Sequence, residues 1–394
     1  MPRISPFVAL RFDPERVGPL ELVTAPPYDV ISEHDHDRYL RSSPYNVTRL
    51  DLGDDPDLAD DERDRRAAEL FAAWRRDGIL VETARPAWIA YEMRFRLHGG
   101  DRRIRGVVAA VELEEPGDGI VPHERTMAGP VEDRLRLQRA LRANLSCIEC
   151  VYLGPNAAMA SWLEDATGGE PDALVTDEEG VEHRMWLRPG DASVPGTLDH
   201  ESLMIADGHH RYATSLRYRD EMRREHGPGP WDAVMVLLID ATTEQPPVLP
   251  FHRIQLEGEP PAAGDRVRNL EEVLESLDDD ALRYGSISMD DGALVHRVAE
   301  LVSGEPPTVV ALHEQILRVD PHALRFSPDP LAAEEAVRDG TAVAGYLLPA
   351  TDAATIRRVV SRGERLPEKS TFFWPKPRTG LVLRPLDGED AWTS

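Results

Sequence analysis

The chain has 394 residues, 41% of them apolar, and its 45 basic and 71 acidic side chains give a formal net charge of −26. Such a chain builds a large core without disulfide or metal staples and is expected to divide into more than one compact region. Its acidity weighs against DNA or RNA as a partner, because binding a long polyanion requires a basic surface, but leaves room for a small phosphorylated ligand held by a local group of donors. The longest apolar run, Ala233 to Ile239, is far short of the roughly 20 residues of a membrane span. No signal-type stretch follows Met1-Pro2-Arg3, so no membrane association and a cytoplasmic location are expected.

In chain order, Ala25-Pro26-Pro27-Tyr28-Asp29-Val30-Ile31 reads as a rigid turn, since each proline fixes its own φ and biases its predecessor to extended geometry. It presents Tyr28 and Asp29 in a fixed orientation, and with Asn46 these are candidate substrate-binding residues. Ser43 to Leu50 is expected to end in a β-like run. From Leu58 to about Asp77, Ala67, Leu70, Phe71 and Trp74 follow helical spacing before a stop at Gly78. Ala87 to Arg96 and Arg103 to Leu113 read as strands around His98-Gly99-Gly100-Asp101. Pro122-His123-Glu124-Arg125-Thr126 leads to Gly129-Pro130, which opens a helix carrying Leu135, Leu137, Ala140 and Leu141.

The next 50 residues or so are rich in glycine and acids and are expected to carry little chemistry. Cys147 and Cys150 form one C-x-x-C with no second pair, which suits two small buried side chains better than a zinc or redox site. Leu203 to Ala206 reads as a strand and Asp207-Gly208 as a turn. A helix with Tyr212, Ala213 and Leu216 on one face follows, and Ala233 to Ile239 closes a strand-helix-strand unit. Residues 256 to 306 are polar and acidic, as in peripheral helices or an insertion, and Leu366 to Leu381 is a compact aromatic tail. Three regions result: a catalytic or nucleotide-binding region over 1–255, an acidic peripheral region over 256–345, and a C-terminal segment over 346–394 packing back on the core.

The turn Asp207-Gly208-His209-His210-Arg211 concentrates the chemistry. Glycine permits a tight turn, and the residues after it sit at a helix N-terminus whose N–H groups and dipole attract anions. Arginine grips phosphate with two parallel bonds, and histidine moves a proton near neutral pH. Asp207 can cap the helix, orient a histidine or hold magnesium. Gly208, His209, His210 and Arg211 are therefore candidate phosphate or nucleotide ligands, and Asp207, His209 and His210 candidate catalytic residues. Glu124, in a loop with neighbouring cationic and hydroxyl groups, is a candidate general base. Lys369 and Lys376 are the chain's only lysines and fall in one short segment, where their compact charges would suit phosphate oxygens. The P-loop, the dinucleotide-binding glycine pattern and the G-x-S-x-G elbow are all missing from the sequence.

These residues resemble the bacterial and archaeal domain of unknown function family 1015. The likeness rests on Met1 to Leu10, Ala25 to Ile31, Ser43 to Leu50, Pro122 to Arg134, Ala206 to Glu221 and Pro367 to Leu381. That family is similar to the ParB N-terminal and sulfiredoxin superfamily. The resemblance implies an α/β (α+β) fold, a mixed sheet with flanking helices and additional C-terminal α/β elements. Sulfiredoxin's nucleophilic cysteine would fall at His209, so its reaction is not implied, whereas the free serine kinase of the superfamily has a turn similar to residues 207 to 211. By that similarity the chain is expected to use ATP or ADP with magnesium and to phosphorylate a small hydroxylated metabolite such as serine. The alternatives are a nucleotide-binding or nucleotide-hydrolysing switch of ParB type and a small-molecule phosphatase.

Overall fold

The computed structural model describes residues 2–387 apart from 56, 98, 118, 153, 155, 192–197, 199–201, 262 and 320. His98, in the expected hairpin loop, lies outside the described residues. The chain forms two compact units. One comprises Met1–Pro122, Thr126–Pro246 and Pro375–Ser394; the other comprises His123–Arg125 and Pro247–Trp374.

The first unit is built on one mixed sheet. Its strands run in the order Ile120–Pro122, Leu203–Asp207, Ile148–Tyr152, Ala233–Asp240, Gly100–Glu112, Ala87–Leu97, Glu182–Pro189 and Ala173–Thr176, with Ile4–Ser5 added beside the strand 100–112. Strands 148–152 and 233–240 are buried at every residue, as their near-continuous apolar sequence requires. The core around them includes Val107, Ala109, Ile148, Cys150, Ile205, Tyr212 and Val236. A second cluster, with Phe71, Trp74, Leu137 and Leu141, joins the helices Asp60–Arg76 and Ala128–Leu141 to the residues before the sheet. The α/β class is as the sequence implies, and so are the 87–97/100–112 hairpin and the helices at 60–76 and 128–141.

Strands 203–207 and 233–240 do not close a strand-helix-strand unit as neighbours. Strand 148–152 lies between them, antiparallel to the first and parallel to the second, so those two run in opposite directions. It comes from the segment expected to carry little chemistry. Ser43 to Leu50 also differs from expectation, ending in the short helix Thr48–Asp51. Asn46 Oδ1 accepts from both the backbone N–H and the hydroxyl of Thr48, and this local bonding turns the chain out of an extended path.

In the second unit, six strands follow the order Asp265–Val267, Ala293–Glu300, Arg283–Asp290, Ala344–Leu347, His252–Gln255 and Leu324–Ser327. Residues 256 to 306 are thus not a peripheral insertion. They supply a central hairpin whose turn, Asp291-Gly292, has positive φ at both positions (49° and 77°), the geometry that favours Asp-Gly. The unit boundaries at 246/247 and 374/375 differ from divisions at 255 and 345. The aromatic tail straddles one of them, because strand Thr371–Phe373 pairs with Val248–Pro250 while Pro375 onward belongs to the first unit. Among the described residues, no helix is long and apolar enough to cross a membrane.

The close approach of strands 100–112 and 233–240 depends on Gly106. A Cβ there would meet the carbonyl oxygen of Leu238 at 2.5 Å and Leu237 Cδ1 at 2.9 Å. Because a backbone atom in a central strand cannot yield, Gly106→Ala is expected to cost about 1–3 kcal/mol, read as a lower urea midpoint. An unchanged midpoint would contradict this packing.

Candidate active site

Strand Leu203–Asp207 ends at Gly208, whose φ of +91° is left-handed backbone, and helix His209–His226 starts at once. Gly208 is its N-cap residue and brings no capping side chain. The Arg211 guanidinium folds back beneath the turn, and a Cβ on Gly208 would meet its Nη2 at 3.0 Å. Glycine is required for the conformation, and any other side chain would also crowd the Arg211 guanidinium. Just before the turn a β-bulge lies between Ile205 and Asp207, and the shift in register sets Asp207 opposite Glu149 of strand 148–152. Bulges re-aim side chains in this way, often next to active sites.

Asp207 joins two cations. Its Oδ2 accepts from Arg211 Nη2 at 2.6 Å, and its Oδ1 accepts from the ammonium of Lys376. Lys376 is 7% exposed and Asp207 and Arg211 12% each, so the three charges are largely withdrawn from water. Arg211 Nη1 also donates to Ser146 Oγ at 2.8 Å and to the Cys147 carbonyl at 2.5 Å. Burial opposes the charge of Arg211, but Asp207, Asp29 and Tyr28 more than offset it and hold its pKa above the ordinary value.

A second helix strengthens the field. His210 Nε2 accepts from the backbone N–H of Met127 at 3.0 Å, which places the proton of a neutral ring on Nδ1. Met127 is the N-cap of helix 128–141. Further along, Thr214 Oγ1 donates to the Val131 carbonyl and Arg139 to Glu221, so helices 128–141 and 209–226 run parallel with their N-termini side by side. Two aligned helix dipoles present their positive ends together, an arrangement that favours an anion between them. His209 is buried at the first helical position.

Sequence reasoning missed Glu149. It is 1% exposed, and its Oε2 has no hydrogen-bond partner among the described residues. Burial pushes its carboxyl from the ordinary 4.5 up to about 8, against the pull of Lys376. The available signal was one acidic residue inside the otherwise apolar run Ile148 to Tyr152.

The other candidates fall into distinct settings. The Arg134 guanidinium lies 4.3 Å from the Tyr28 ring centroid, and burial raises the Tyr28 phenol well above its ordinary pKa. A cavity of about 60 Å³ in the first unit is lined by Tyr28, Asp51, Arg134, Ser146, Arg211 and Thr214 among others. Asp29 acts on the charges of Tyr28, Asp51 and Arg211. Asn46 is fully buried, its amide donating to the carbonyls of Leu22 and Thr24, so it braces the loop and does not face a substrate.

Glu124 and Lys369 belong to the second unit. Glu124 accepts from the backbone N–H groups of Lys369, Ser370 and Thr371 and from the Thr371 hydroxyl. A carboxylate so engaged braces a turn and is poorly placed as a general base. The Lys369 ammonium sits 5.4 Å from the Phe251 ring centroid, a cation–π contact. Of the two lysines, Lys376 is the one at Asp207.

Magnesium does not fit Asp207, since both its oxygens already take protein cations. Among the described residues there is no group of three or more His, Cys, Asp or Glu side chains placed to hold a metal. Cys147 and Cys150 are free and buried.

The family model that matches this sequence spans residues 4–310 and is described as a protein of unknown function, DUF1015. The chain belongs to this family. No curated protein matches this DUF1015 member. Among solved structures it is similar to a free serine kinase in complex with AMP, at 13% identity over 72% of this chain and 90% of that one, with a TM-score of 0.37. It is also similar to a conserved hypothetical protein from Pyrococcus furiosus, at 13% identity over 68% and 93% of the two chains and a TM-score of 0.36. SbnI with a C-terminal truncation, from Staphylococcus aureus, gives 12% identity over 71% and 87% and a TM-score of 0.39. At such scores the site's chemistry has to come from its own residues.

The raised pKa of Glu149 makes folding depend on pH. The buried group is neutral in the folded chain up to about pH 8 and ionised in the unfolded chain above about 4.5. The stability of the neutral form is present at low pH and is lost progressively as pH rises through that window, at roughly 1.4 kcal/mol for each pH unit. Glu149→Gln removes this slope, so its melting temperature relative to wild type is expected to climb from pH 5 to pH 8 and then level off. A difference that stays constant across that range would contradict the burial of this carboxyl.

Proposed function

We propose that this DUF1015 protein is a nucleotide-dependent, kinase-like phosphotransferase that uses ATP or ADP and acts on a small hydroxylated metabolite such as serine. The observation that carries the reading is the convergence of Lys376 and Arg211 on Asp207 at the N-terminal end of helix 209–226. Phosphoryl transfer is mostly positioning and neutralisation of charge. Here a forked guanidinium, a compact ammonium and the ends of two parallel helices supply that neutralisation, and Asp207 holds both cations in place.

On this reading the terminal phosphate oxygens take donors from Lys376, Arg211 and the backbone at Gly208 and His209. The acceptor hydroxyl oxygen forms a bond to the terminal phosphorus, the bond to the bridging oxygen breaks, and the nucleotide leaves one phosphate shorter as the hydroxyl proton is released. Any magnesium arrives on the nucleotide's own phosphates. His210 keeps the two helix ends together and its Nδ1–H is a donor to the phosphate. The cavity beside Arg211, with Tyr28 on its wall, is a place for the acceptor. The choice of serine as the first acceptor rests on the likeness of residues 207–211 to the turn of the free serine kinase.

Purified protein incubated with ATP or ADP and a panel of small hydroxylated acceptors, followed by ³¹P NMR, tests the reading. An acceptor-dependent phosphomonoester is expected. Removing one phosphate donor with Arg211→Ala is expected to weaken nucleotide binding by about tenfold or more. His210→Ala is expected to lower turnover by about a hundredfold while leaving the far-ultraviolet circular dichroism unchanged. Full activity in His210→Ala would sink the proposal. Nucleotide consumption without an acceptor product would point to the switch reading, and phosphate release from phosphoserine without nucleotide would point to the phosphatase.

A further inference from the structure

Glu149 has no role in the chemistry above, yet its position is not one that core packing explains. It sits on a central strand with Leu237 of strand 233–240 on one side and Asp207 on the other. A leucine or methionine would fill this place without stranding a buried carboxyl oxygen, and an unsatisfied group of this kind in a native fold calls for a functional reason. The bulge at Ala206 is what sets Asp207 opposite it. The charged groups that act on Glu149 are Lys376 from the C-terminal segment, Asp207 from strand 203–207 and Arg211 from helix 209–226. Cys147, just before its strand, has its thiol pushed up to about 12 by burial, and on the strand itself stand Cys150, whose thiol is raised further, and Tyr152.

We propose that Glu149 is a positioning residue of the phosphate site: it shares Lys376 with Asp207 and so sets how firmly that lysine is offered to an incoming phosphate. The inference rests on the reading of the Asp207 turn as a phosphate site. While Glu149 is neutral, Lys376 is held by Asp207 without competition from Glu149 and is released to phosphate at modest cost. Once Glu149 is ionised, two carboxylates compete with the ligand for one ammonium, and a new negative charge lies beneath the anion. Phosphate affinity therefore falls as pH rises across the range in which Glu149 loses its proton. With the group's pKa at about 8, the fall between pH 7 and pH 9 is at most about tenfold. Arg211 keeps its charge over this range, and neither thiol ionises within it.

The test is calorimetric binding of ADP and of sulfate at pH 7 and pH 9 to the full chain, comparing wild type, Glu149→Gln and Lys376→Met. Sulfate is a dianion at both pH values, so any change in its affinity belongs to the protein. Wild type is expected to lose about five- to tenfold in affinity over this interval, and Glu149→Gln less than twofold. Lys376→Met is expected to bind weakly at both pH values with the slope reduced, because the effect of Glu149 passes through this lysine; a purely structural role for Glu149 would leave the pH slope as it is in wild type. A wild-type slope retained in Glu149→Gln overturns this inference and leaves the phosphate reading standing. If wild type binds neither probe, the phosphate reading fails and this inference with it. Should Glu149→Gln not fold, Glu149→Asp, whose shorter chain stands farther from Lys376, is expected to show a weaker slope, and an unaltered slope there also overturns the inference.

Discussion

The site depends on one carboxylate that holds two cations away from water. Asp207 stands at the end of strand 203–207, Arg211 one turn into the helix that follows, and Lys376 on a segment that returns near the C-terminus. Each pair ties a different part of the first unit to the same point. Buried charges are retained only when paired, and removing one partner leaves the others stranded at a cost of about 3–5 kcal/mol. On the proposed reading, two cations kept dry and fixed need little reorganisation when a phosphate arrives.

What lies around Asp207 is arranged about this pairing. Gly208 lets the helix begin immediately after the strand and leaves room for the Arg211 guanidinium under the turn. His210 joins the start of helix 209–226 to the start of helix 128–141. Parallel helices oppose each other through their dipoles, and the repulsion between their positive ends is relieved by negative charge placed there. Glu124 shows the contrast. It too is a buried acid, but it is answered by three backbone N–H groups and a hydroxyl in a turn of the second unit, the pattern of a brace.

Much of this was legible in the sequence. Asp207-Gly208-His209-His210-Arg211 after an apolar run states strand, turn and helix N-terminus in five residues, and the two lysines stand out against a background of arginine. The α/β class and the family followed from motifs spread along the chain. What stayed hidden depended on partners distant in sequence. Glu149 gains meaning only from the register that places it opposite Asp207, and strand order cannot be read from apolar runs of similar strength. Lys369 and Lys376 fall in the same short segment and look equivalent, yet one rests by an aromatic ring and the other on a carboxylate. Asn46 looked available to a ligand, but its amide is taken up by the carbonyls of Leu22 and Thr24 from an earlier part of the chain. In residues 256–306 acidic composition masks the alternation of the strands, although Asp291-Gly292 carries a clear hairpin signal.

The claim at the centre of this account is that phosphate sits on the turn at Asp207. A crystal structure of the protein grown with ADP and magnesium tests it most directly. The account predicts β-phosphate oxygens within hydrogen-bonding distance of Lys376 Nζ, the Arg211 guanidinium and the backbone N–H groups at the start of helix 209–226. A nucleotide bound elsewhere, with Lys376 and Arg211 still closed on Asp207, would contradict it.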